Sequence, residues 1–405
     1  MGIINAAFRL SQIERSIINK ECHRTTCSLM DFIRDYTVVA TDLEEAVQLR
    51  STYNSLRRLG ESDITEEDAV NILQQGTVIF NRISAYSYEE LERKLVANYP
   101  NTPVLNAVDV VKKYSQKGNF KLGPVSTVLN AGEITGIVGE NGNGKTTLLR
   151  ILARLLSYDE GVLQYQFDGQ ETTEDYLIKH RIAYIPQRLE SWQGTLRENL
   201  HYAATIHNIV GEENEKIVEF VIHRMGLSNF AHLGWKELSS GYKLRFELAK
   251  MLVWSPRILV LDEPLANLDI NAQEWILQDF KSMASSIKNP VSVILSSQQL
   301  HEVEHVADNI IFLRNGRCDY SGAMNAFMQE RDENVFELSG NFTSKELQPI
   351  FSNHAVQFSE SGITIIVRTN TAITAADVLS MLISNGYTIK YFRDISTSTK
   401  QLFQL

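Results

Sequence analysis

The feature that most constrains this chain is a glycine-rich run between an apolar segment and a helical one. It reads Gly139-Glu-Asn-Gly-Asn-Gly-Lys-Thr-Thr147 and fits the pattern G-x-x-x-x-G-K-[ST]. The apolar residues 134–138 before it predict a buried strand, and residues 146–156 after it predict a helix. Because backbone N–H groups and a helix N-terminus attract phosphate oxygens, this order predicts a nucleotide site in an α/β domain.

The residue types in this run indicate separate roles. The glycines let the backbone curl around phosphate oxygens, Lys145 reaches the β- and γ-phosphates, and the hydroxyl of Thr146 holds Mg²⁺. The residues predicted to bind nucleotide here are Gly139, Asn141, Gly142, Gly144, Lys145, Thr146 and Thr147.

A second run supplies carboxylates. Four apolar residues, 258–261, predict a buried strand, and Asp262 and Glu263 follow it directly. Asp262 at the end of the strand fits the aspartate that is linked to Mg²⁺ in P-loop ATPases. Glu263 is predicted to lie near the γ-phosphate, where it polarises the attacking water.

A third run makes the whole pattern recognisable. Leu238-Ser-Ser-Gly-Tyr242 precedes a helical segment and lies between the other two runs. Residues 104–322 thereby resemble the nucleotide-binding domains of the ABC ATPase family, whose signature at this position is LSGGQ. Ser239 and Gly241 match that signature, whereas Ser240 and Tyr242 depart from it. The resemblance implies that Ser239 and Gly241 of one subunit close on the ATP held by another.

The same resemblance assigns three further positions. Gln187, in Tyr-Ile-Pro-Gln, resembles the glutamine that touches Mg²⁺ and relays the state of the site to a transmembrane partner. Residues 265–269 resemble the loop that crosses the dimer interface. Tyr114 resembles the aromatic residue that stacks on adenine, with Phe120 as the alternative, and either ring is also compatible with a core position.

One departure concerns the switch strand. The family usually carries histidine where this chain has Gln298, and His301 is three residues out of register. A glutamine amide can donate a hydrogen bond to a γ-phosphate oxygen but cannot titrate. Glu263 and Gln298 are therefore the predicted catalytic pair, with hydrolysis retained but slowed and without a titrating switch.

The regions on either side of the cassette carry no catalytic pattern. Residues 1–98 read as a helical accessory domain, residues 104–330 as the ATPase domain, and residues 333–405 as a small split α+β domain. We expect the helical domain to be dispensable for ATP binding. Cys22, His23 and Cys27 lie close in sequence, but the lack of a second ligand pair favours ordinary side chains over a zinc site.

Composition limits the kinds of partner that this chain is expected to bind. The formal net charge is -10 and no block of Lys or Arg occurs, which argues against nucleic acid. No apolar stretch is long enough to span a membrane, so a transporter would need a permease on a separate chain. Trp192 and Leu196 are candidate contacts for that permease, although both also fit a core.

The sequence thus predicts an α/β ABC-type P-loop ATPase cassette with a helical signature subdomain, preceded by an all-α domain and followed by an α+β domain. We expect it to bind ATP and Mg²⁺, with Thr146, Gln187 and Asp262 as metal ligands. The resemblance implies a homodimer that works with a permease at the cytoplasmic face of the cell membrane. Residues 398–403 resemble the ends of exporter ATPases and favour export. The alternatives are a regulatory or stress-related ABC ATPase without a permease, or one that acts on nucleic acid or ribosomes.

Overall fold

The computed structural model describes most of the chain. The described residues are 6–36, 40–56, 64–89, 91, 103–114, 120–266, 268–286, 288–329, 333–351, 356–361, 364–370 and 372–396. The exporter-like residues 398–403 therefore lie outside the described part.

The chain begins with four helices. They are α1 (Ala6–Ile18), α2 (Cys22–Tyr36), α3 (Ala40–Leu56) and α4 (Glu66–Ser84). Thr65 starts α4, since its side chain accepts a hydrogen bond from the N–H of Asp68 at 3.1 Å. Helix α2 is buried on most of its surface, which places it between the other helices and the rest of the protein.

The next part of the chain forms two sheets with helices around them. Its strands are β1 (Pro103–Tyr114), β2 (Phe120–Asn130), β3 (Ile134–Val138), β4 (Glu160–Phe167), β5 (Gln170–Thr172), β6 (Ile182–Ile185), β7 (Ile258–Leu261), β8 (Ser292–Ser297), β9 (Asn309–Arg314) and β10 (Arg317–Ala323). Its helices are α5 (Lys145–Leu152), α6 (Asp175–Lys179), α7 (Leu196–Ile206), α8 (Gly211–Arg224), α9 (Ser240–Leu252), α10 (Ile270–Ala284) and α11 (Met324–Gln329).

The larger sheet has the order β10-β9-β3-β8-β7-β6, and all its neighbours are parallel except β10 and β9. Every residue of β3, β7 and β8 is buried, as expected for central parallel strands with both faces covered. Their carboxyl ends therefore meet at one edge, where ligands bind in open α/β sheets. The smaller sheet, β2-β1-β4-β5, is antiparallel, and helices α7, α8 and α9 form a subdomain between β6 and β7.

The last part of the chain is a separate antiparallel sheet with two helices. Its elements are β11 (Glu333–Gly340), α12 (Ser344–Leu347), β12 (Gln357–Ser361), β13 (Thr364–Asn370), α13 (Ala375–Ser384) and β14 (Ile389–Asp394). The strand order is β12-β13-β11-β14, the split arrangement that the sequence predicts. Within the described ranges, no helix is long and apolar enough to cross a membrane.

Two residues of α2, His23 and Cys27, contact the cassette. His23 and Cys27 lie with Asp279 so that their potential ligand atoms are within 4.8 Å of one another. The guanidinium of Arg224 donates to Asp279 at 2.6 Å and to Cys27 Sγ at 3.4 Å, and that of Arg50 lies 3.3 Å from His23 Nδ1. Two cations thus already contact these atoms, which opposes binding of a metal cation.

Candidate active site

The glycine-rich run forms the loop between β3 and α5. Gly144 adopts a φ of 97°, a left-handed conformation that is easy for glycine, and directly precedes α5. A Cβ on Gly144 would come within 2.9 Å of the Leu122 side chain. Asn141 and Gly142 are exposed at the tip, so the loop presents its backbone to solvent in front of the helix N-terminus.

Lys145 is the cation of this loop. Its side chain is only 5% exposed, and its Nζ donates to the carbonyl oxygen of Gly139 at 2.7 Å. The same Nζ lies 3.3 Å from Oε1 of Glu263. The ammonium group is therefore held within the loop and paired with the carboxylate that was predicted to act on water.

Thr146 and Asp262 meet as a metal site requires. Thr146 Oγ1 donates to Asp262 Oδ2 at 2.8 Å, and Asp262 is nearly buried. Adjacent ligands of an octahedral Mg²⁺ with bonds of about 2.1 Å lie about 3 Å apart, so these two oxygens fit such a shell. Burial and the neighbouring Asp262 raise the pKa of Tyr184 to about 12, which keeps this phenol neutral beside the carboxylate.

Glu263 is surrounded by donors. Its Oε2 accepts hydrogen bonds from Gln187 Nε2 at 2.7 Å and from Gln298 Nε2 at 2.9 Å. Together with Lys145 at Oε1, these amides hold the carboxylate at the carboxyl edge of the sheet. The structure therefore brings Lys145, Thr146, Gln187, Asp262, Glu263 and Gln298 into one site.

The signature residues occupy a different surface. Ser239 is the N-cap of α9, yet its hydroxyl makes no capping hydrogen bond, and both Ser239 and Ser240 are exposed. The departing residue Tyr242 packs on Phe230, with ring centroids 3.9 Å apart. Gly241 lies close to Leu268 of the predicted interface loop. The helix N-terminus is thus free to receive an anion from outside the chain.

The aromatic candidates for adenine are neighbours. Tyr114 and Phe120 pair across β1 and β2, with ring centroids 6.3 Å apart, and both are half-buried. A Cβ on Gly144 would lie 3.1 Å from the Phe120 ring, so Phe120 packs against the phosphate-binding loop itself. Tyr114 lies directly opposite Phe120 in the register of β1 and β2, and it stays the predicted stacking residue. Asn267 of the interface loop lies outside the described residues.

Two polar residues that sequence reasoning missed support the site. Asn143 donates to the Leu313 carbonyl at 3.3 Å and accepts from the Asn315 N–H at 3.0 Å, which ties the loop to β9 and its turn. Ser296 contacts both carboxylate residues, Asp262 and Glu263. The only signal for Ser296 was a hydroxyl within an apolar strand, and such a signal does not identify its partners.

Comparison with known proteins decides the family. A family model described as ABC transporter matches residues 122–266. The chain is 31% identical over 217 residues to an uncharacterised ABC transporter ATP-binding protein, YxlF, of Bacillus subtilis strain 168, covering 53% of this chain and 70% of that protein. The chain belongs to the ABC transporter ATP-binding family.

One further relative and one solved structure are similar to the chain. The ABC ATPase is 28% identical over 243 residues to the phosphonates import ATP-binding protein PhnC of Treponema denticola, covering 56% of this chain and 92% of that protein. The structure of cbiO1 from Clostridium perfringens, part of the ABC transporter complex cbiONQ, is similar in fold, with a TM-score of 0.50 and 23% identity over 56% of this chain and 91% of that one. The prediction of an ATP-binding cassette with ATPase activity is thereby confirmed.

Proposed function

We propose that this ABC ATPase hydrolyses Mg²⁺-ATP at the cluster around Glu263 and uses the reaction to drive a separate permease. The observation that carries the proposal is the Glu263 carboxylate, which contacts the Lys145 ammonium and the amides of Gln187 and Gln298. These are the groups needed to bind a γ-phosphate and to orient the water that attacks it.

Each residue has a distinct task in this reaction. The P-loop backbone and Lys145 bind the phosphates, and the γ-phosphate replaces Glu263 as the partner of the ammonium group. Thr146, Asp262 and Gln187 would hold Mg²⁺, which neutralises charge on the phosphates. The freed Glu263 carboxylate accepts a hydrogen bond from the attacking water and orients it toward phosphorus, while ADP leaves.

Gln298 supports this reaction without changing charge. Its amide donates to Glu263 Oε2 at 2.9 Å and has a second donor hydrogen for a γ-phosphate oxygen. Hydrolysis should therefore show no step with pH that originates at this position. If Gln298→Ala hydrolysed ATP at the rate of the unchanged protein, this role would be wrong.

The working unit we propose is a homodimer with two composite sites. Ser239 and Gly241 lie at a free helix N-terminus, which suits the γ-phosphate bound by the P-loop of a second copy. Two-fold symmetry makes both sites equivalent, so both carry Gln298.

A substitution that removes the Glu263 charge but keeps the side-chain shape tests the composite site. Glu263→Gln should bind ATP more tightly, because Lys145 loses its competing carboxylate, and should accumulate as a dimer because ATP is not consumed. We expect a shift from monomer to dimer with ATP and Mg²⁺ in size exclusion with light scattering, and Glu212→Gln on α8 is the matched control. Adding Ser239→Arg should abolish the shift but not nucleotide binding. A Glu263→Gln protein that stays monomeric with bound ATP, also when its permease is present, would contradict the dimer.

An exposed apolar patch is the proposed permease contact. Of the sequence candidates, Leu196 is fully buried, whereas Trp192 is half-buried and has its ring centroid 4.4 Å from that of Phe246. Further along α7, Tyr202 and Ile206 are 67% and 56% exposed. We define the coupling patch as these two residues together with Tyr176 and Leu177 of α6, which are also exposed.

Aromatic contacts join the two halves of the coupling patch. The ring centroids of Tyr176 and His180 lie 4.2 Å apart, and those of His180 and His207 lie 5.6 Å apart. His207 follows Ile206 directly in the chain. His207 stacks on Trp254 at 4.2 Å. The patch therefore spans the parallel-sheet part and the helical subdomain, and a helix docked on it would contact both.

Site-specific cross-linking tests this contact. A photoreactive phenylalanine analogue at Tyr202 should cross-link to an integral membrane protein in native membranes. The same analogue at Tyr391, an exposed tyrosine of the C-terminal domain, is the control. Cross-links from Tyr202 to proteins outside the membrane alone would favour a regulatory ABC ATPase without a permease.

The direction and place of transport belong to the same proposal. A permease-bound ATPase would act at the inner face of the cell membrane and contact it only through the permease. Export rests on the resemblance of residues 398–403 alone, and PhnC, one of the relatives, is named as an import protein. Transport into or out of inverted vesicles that contain the purified complex measures the direction.

A further inference from the structure

A buried hydroxyl lies between the two acidic residues of the site. Ser296 is 1% exposed and belongs to β8, whose Leu295 pairs with the last residue of β7, Leu261. Its position is therefore one residue beyond the end of β7, level with Asp262. Ser296 Oγ donates to Asp262 Oδ1 at 2.9 Å and accepts from the backbone N–H of Glu263 at 2.8 Å.

The backbone of Glu263 is unusual at this contact. Its φ is 48°, in the left-handed region that residues with a side chain seldom adopt. Such a conformation persists when surrounding contacts impose it, and it is typical of functional sites. Since the Glu263 N–H bonds to Ser296, this hydroxyl contributes to the turn that directs the carboxylate toward Lys145.

We propose that Ser296 is a positioning residue for ATP hydrolysis. One hydroxyl orients the metal-binding carboxylate of Asp262 and, at the same time, holds the backbone of Glu263. The orientation of the metal ligand relative to the group that orients water then depends on this buried hydroxyl, in addition to the amides that hold the Glu263 carboxylate. This inference rests on the roles proposed above for Asp262 and Glu263.

The same strand contains a natural control. Ser292 is fully buried at the other end of β8, and its hydroxyl has no hydrogen-bond partner among the described residues. Both serines are small, buried and in the same strand, so loss of either hydroxyl perturbs packing similarly. Only Ser296 contacts the acidic residues, and a difference between the two positions therefore reports on positioning.

Steady-state kinetics of paired variants test the proposal. Ser296→Ala removes the hydroxyl, and Ser296→Cys keeps a side chain of similar size but with a weaker hydrogen-bonding group. We expect kcat to fall about tenfold in both, with KM for ATP within about threefold, because the lost contacts act on the transition state. Ser292→Ala and Ser292→Cys should stay within about twofold of the unchanged protein.

Three further measurements separate positioning from folding. The Mg²⁺ concentration for half-maximal activity should rise in Ser296→Ala, because Asp262 loses a donor that orients it. Ser296→Thr, which retains the hydroxyl, should recover most of kcat. At saturating Mg²⁺ in a Glu263→Gln background, Ser296→Ala should change the residual rate by less than about twofold, since the carboxylate that the turn positions is already removed.

The outcomes are distinguishable. A kcat for Ser296→Ala and Ser296→Cys equal to that of the Ser292 variants would overturn the inference, as would full additivity with Glu263→Gln. If Ser296→Ala does not fold, the contrast between Ser296→Cys and Ser296→Thr decides. Lys145→Ala and Glu263→Gln run in parallel: if they retain ATPase activity, the proposed active site itself fails.

Discussion

The regions before and after the cassette are attached to it in different ways. The apolar core of the N-terminal helices is continuous with that of the cassette, and residues such as Leu29, Phe32 and Phe220 belong to one buried cluster. The C-terminal domain has its own cluster, which among the described residues contains only positions from 336 onward. The N-terminal helices therefore share the core of the cassette, whereas the C-terminal domain has a core of its own.

Polar contacts strengthen this difference. Arg224 at the end of α8 is buried and donates to both oxygens of Asp31 in α2, at 2.9 and 2.8 Å. Another of its bonds goes to Asp279 of α10, and Ser282 of the same helix also donates to Asp31. The carboxylate of Asp31 thus bridges the helical subdomain and the parallel-sheet part. A region recognisable only as helical in the sequence is a structural component of the ATPase.

Removing each region in turn tests the comparison most strongly. Without residues 1–98, the apolar surface of α8 is uncovered and Arg224 loses its bonds to Asp31, so we expect aggregation or loss of ATP binding. This reverses our expectation from the sequence that the region is dispensable. Removing residues 333–405 should leave the ATP dissociation constant within about threefold. A monodisperse truncation 99–405 that binds ATP normally would refute the shared-core interpretation.

A single buried ion pair should show the same dependence of the cassette on the N-terminal helices. Asp31→Ala leaves Arg224 without its main partner, and breaking a buried ion pair typically costs about 3–5 kcal/mol. We expect that loss in the free energy of unfolding, measured by denaturant titration together with ATP binding. Glu45→Ala, which removes the exposed partner of Arg82 in the same region, is the control and should leave stability unchanged.

The same pair predicts a dependence on pH. Burial alone would raise the pKa of Asp31, but the guanidinium groups of Arg224 and Arg34 outweigh it and hold the pKa well below its ordinary value. The pair therefore stabilises the fold above about pH 4, and this contribution is lost as the pH falls toward the lowered pKa. Asp31→Asn should flatten the acid side of the stability curve, and an unchanged slope would argue against the pair.

The smallest effect on ATPase activity should come from the C-terminal core. Phe336 is fully buried and stacks on Phe392 with ring centroids 5.6 Å apart. Phe336→Ala should destabilise this domain by about 3–5 kcal/mol while the ATPase rate stays unchanged. Calorimetry should show one transition lowered and the cassette transition kept, whereas Phe32→Ala should lower the latter. Loss of ATP binding in Phe336→Ala would mean that the domains are coupled.

The site residues within contiguous motifs could be predicted from the sequence, because the residues of each motif lie next to one another in the chain. The phosphate loop, its lysine and threonine, and the pair Asp262–Glu263 each follow a buried strand, so the strand edge alone predicts where they lie. The split C-terminal sheet also followed from periodicity, whereas the helical subdomain was implied by the family resemblance. The exposure of the candidate permease contacts did not follow from the sequence: Leu196 is fully buried, and Trp192 is half-buried with its indole beside Trp235 and Phe246. Exposure depends on what packs above a residue, and sequence spacing does not contain that information.

The sequence by itself determined the family, the order of the elements and the types of group available for ATP hydrolysis. Tertiary structure decided which groups meet. Gln298 lies 35 residues after Glu263, and only the adjacent positions of β7 and β8 bring their side chains together. Ser296 acquires its two partners in the same way, and Asp31 meets Arg224 across 193 residues. Local patterns set strands and loops, whereas contacts between distant residues depend on how the layers pack.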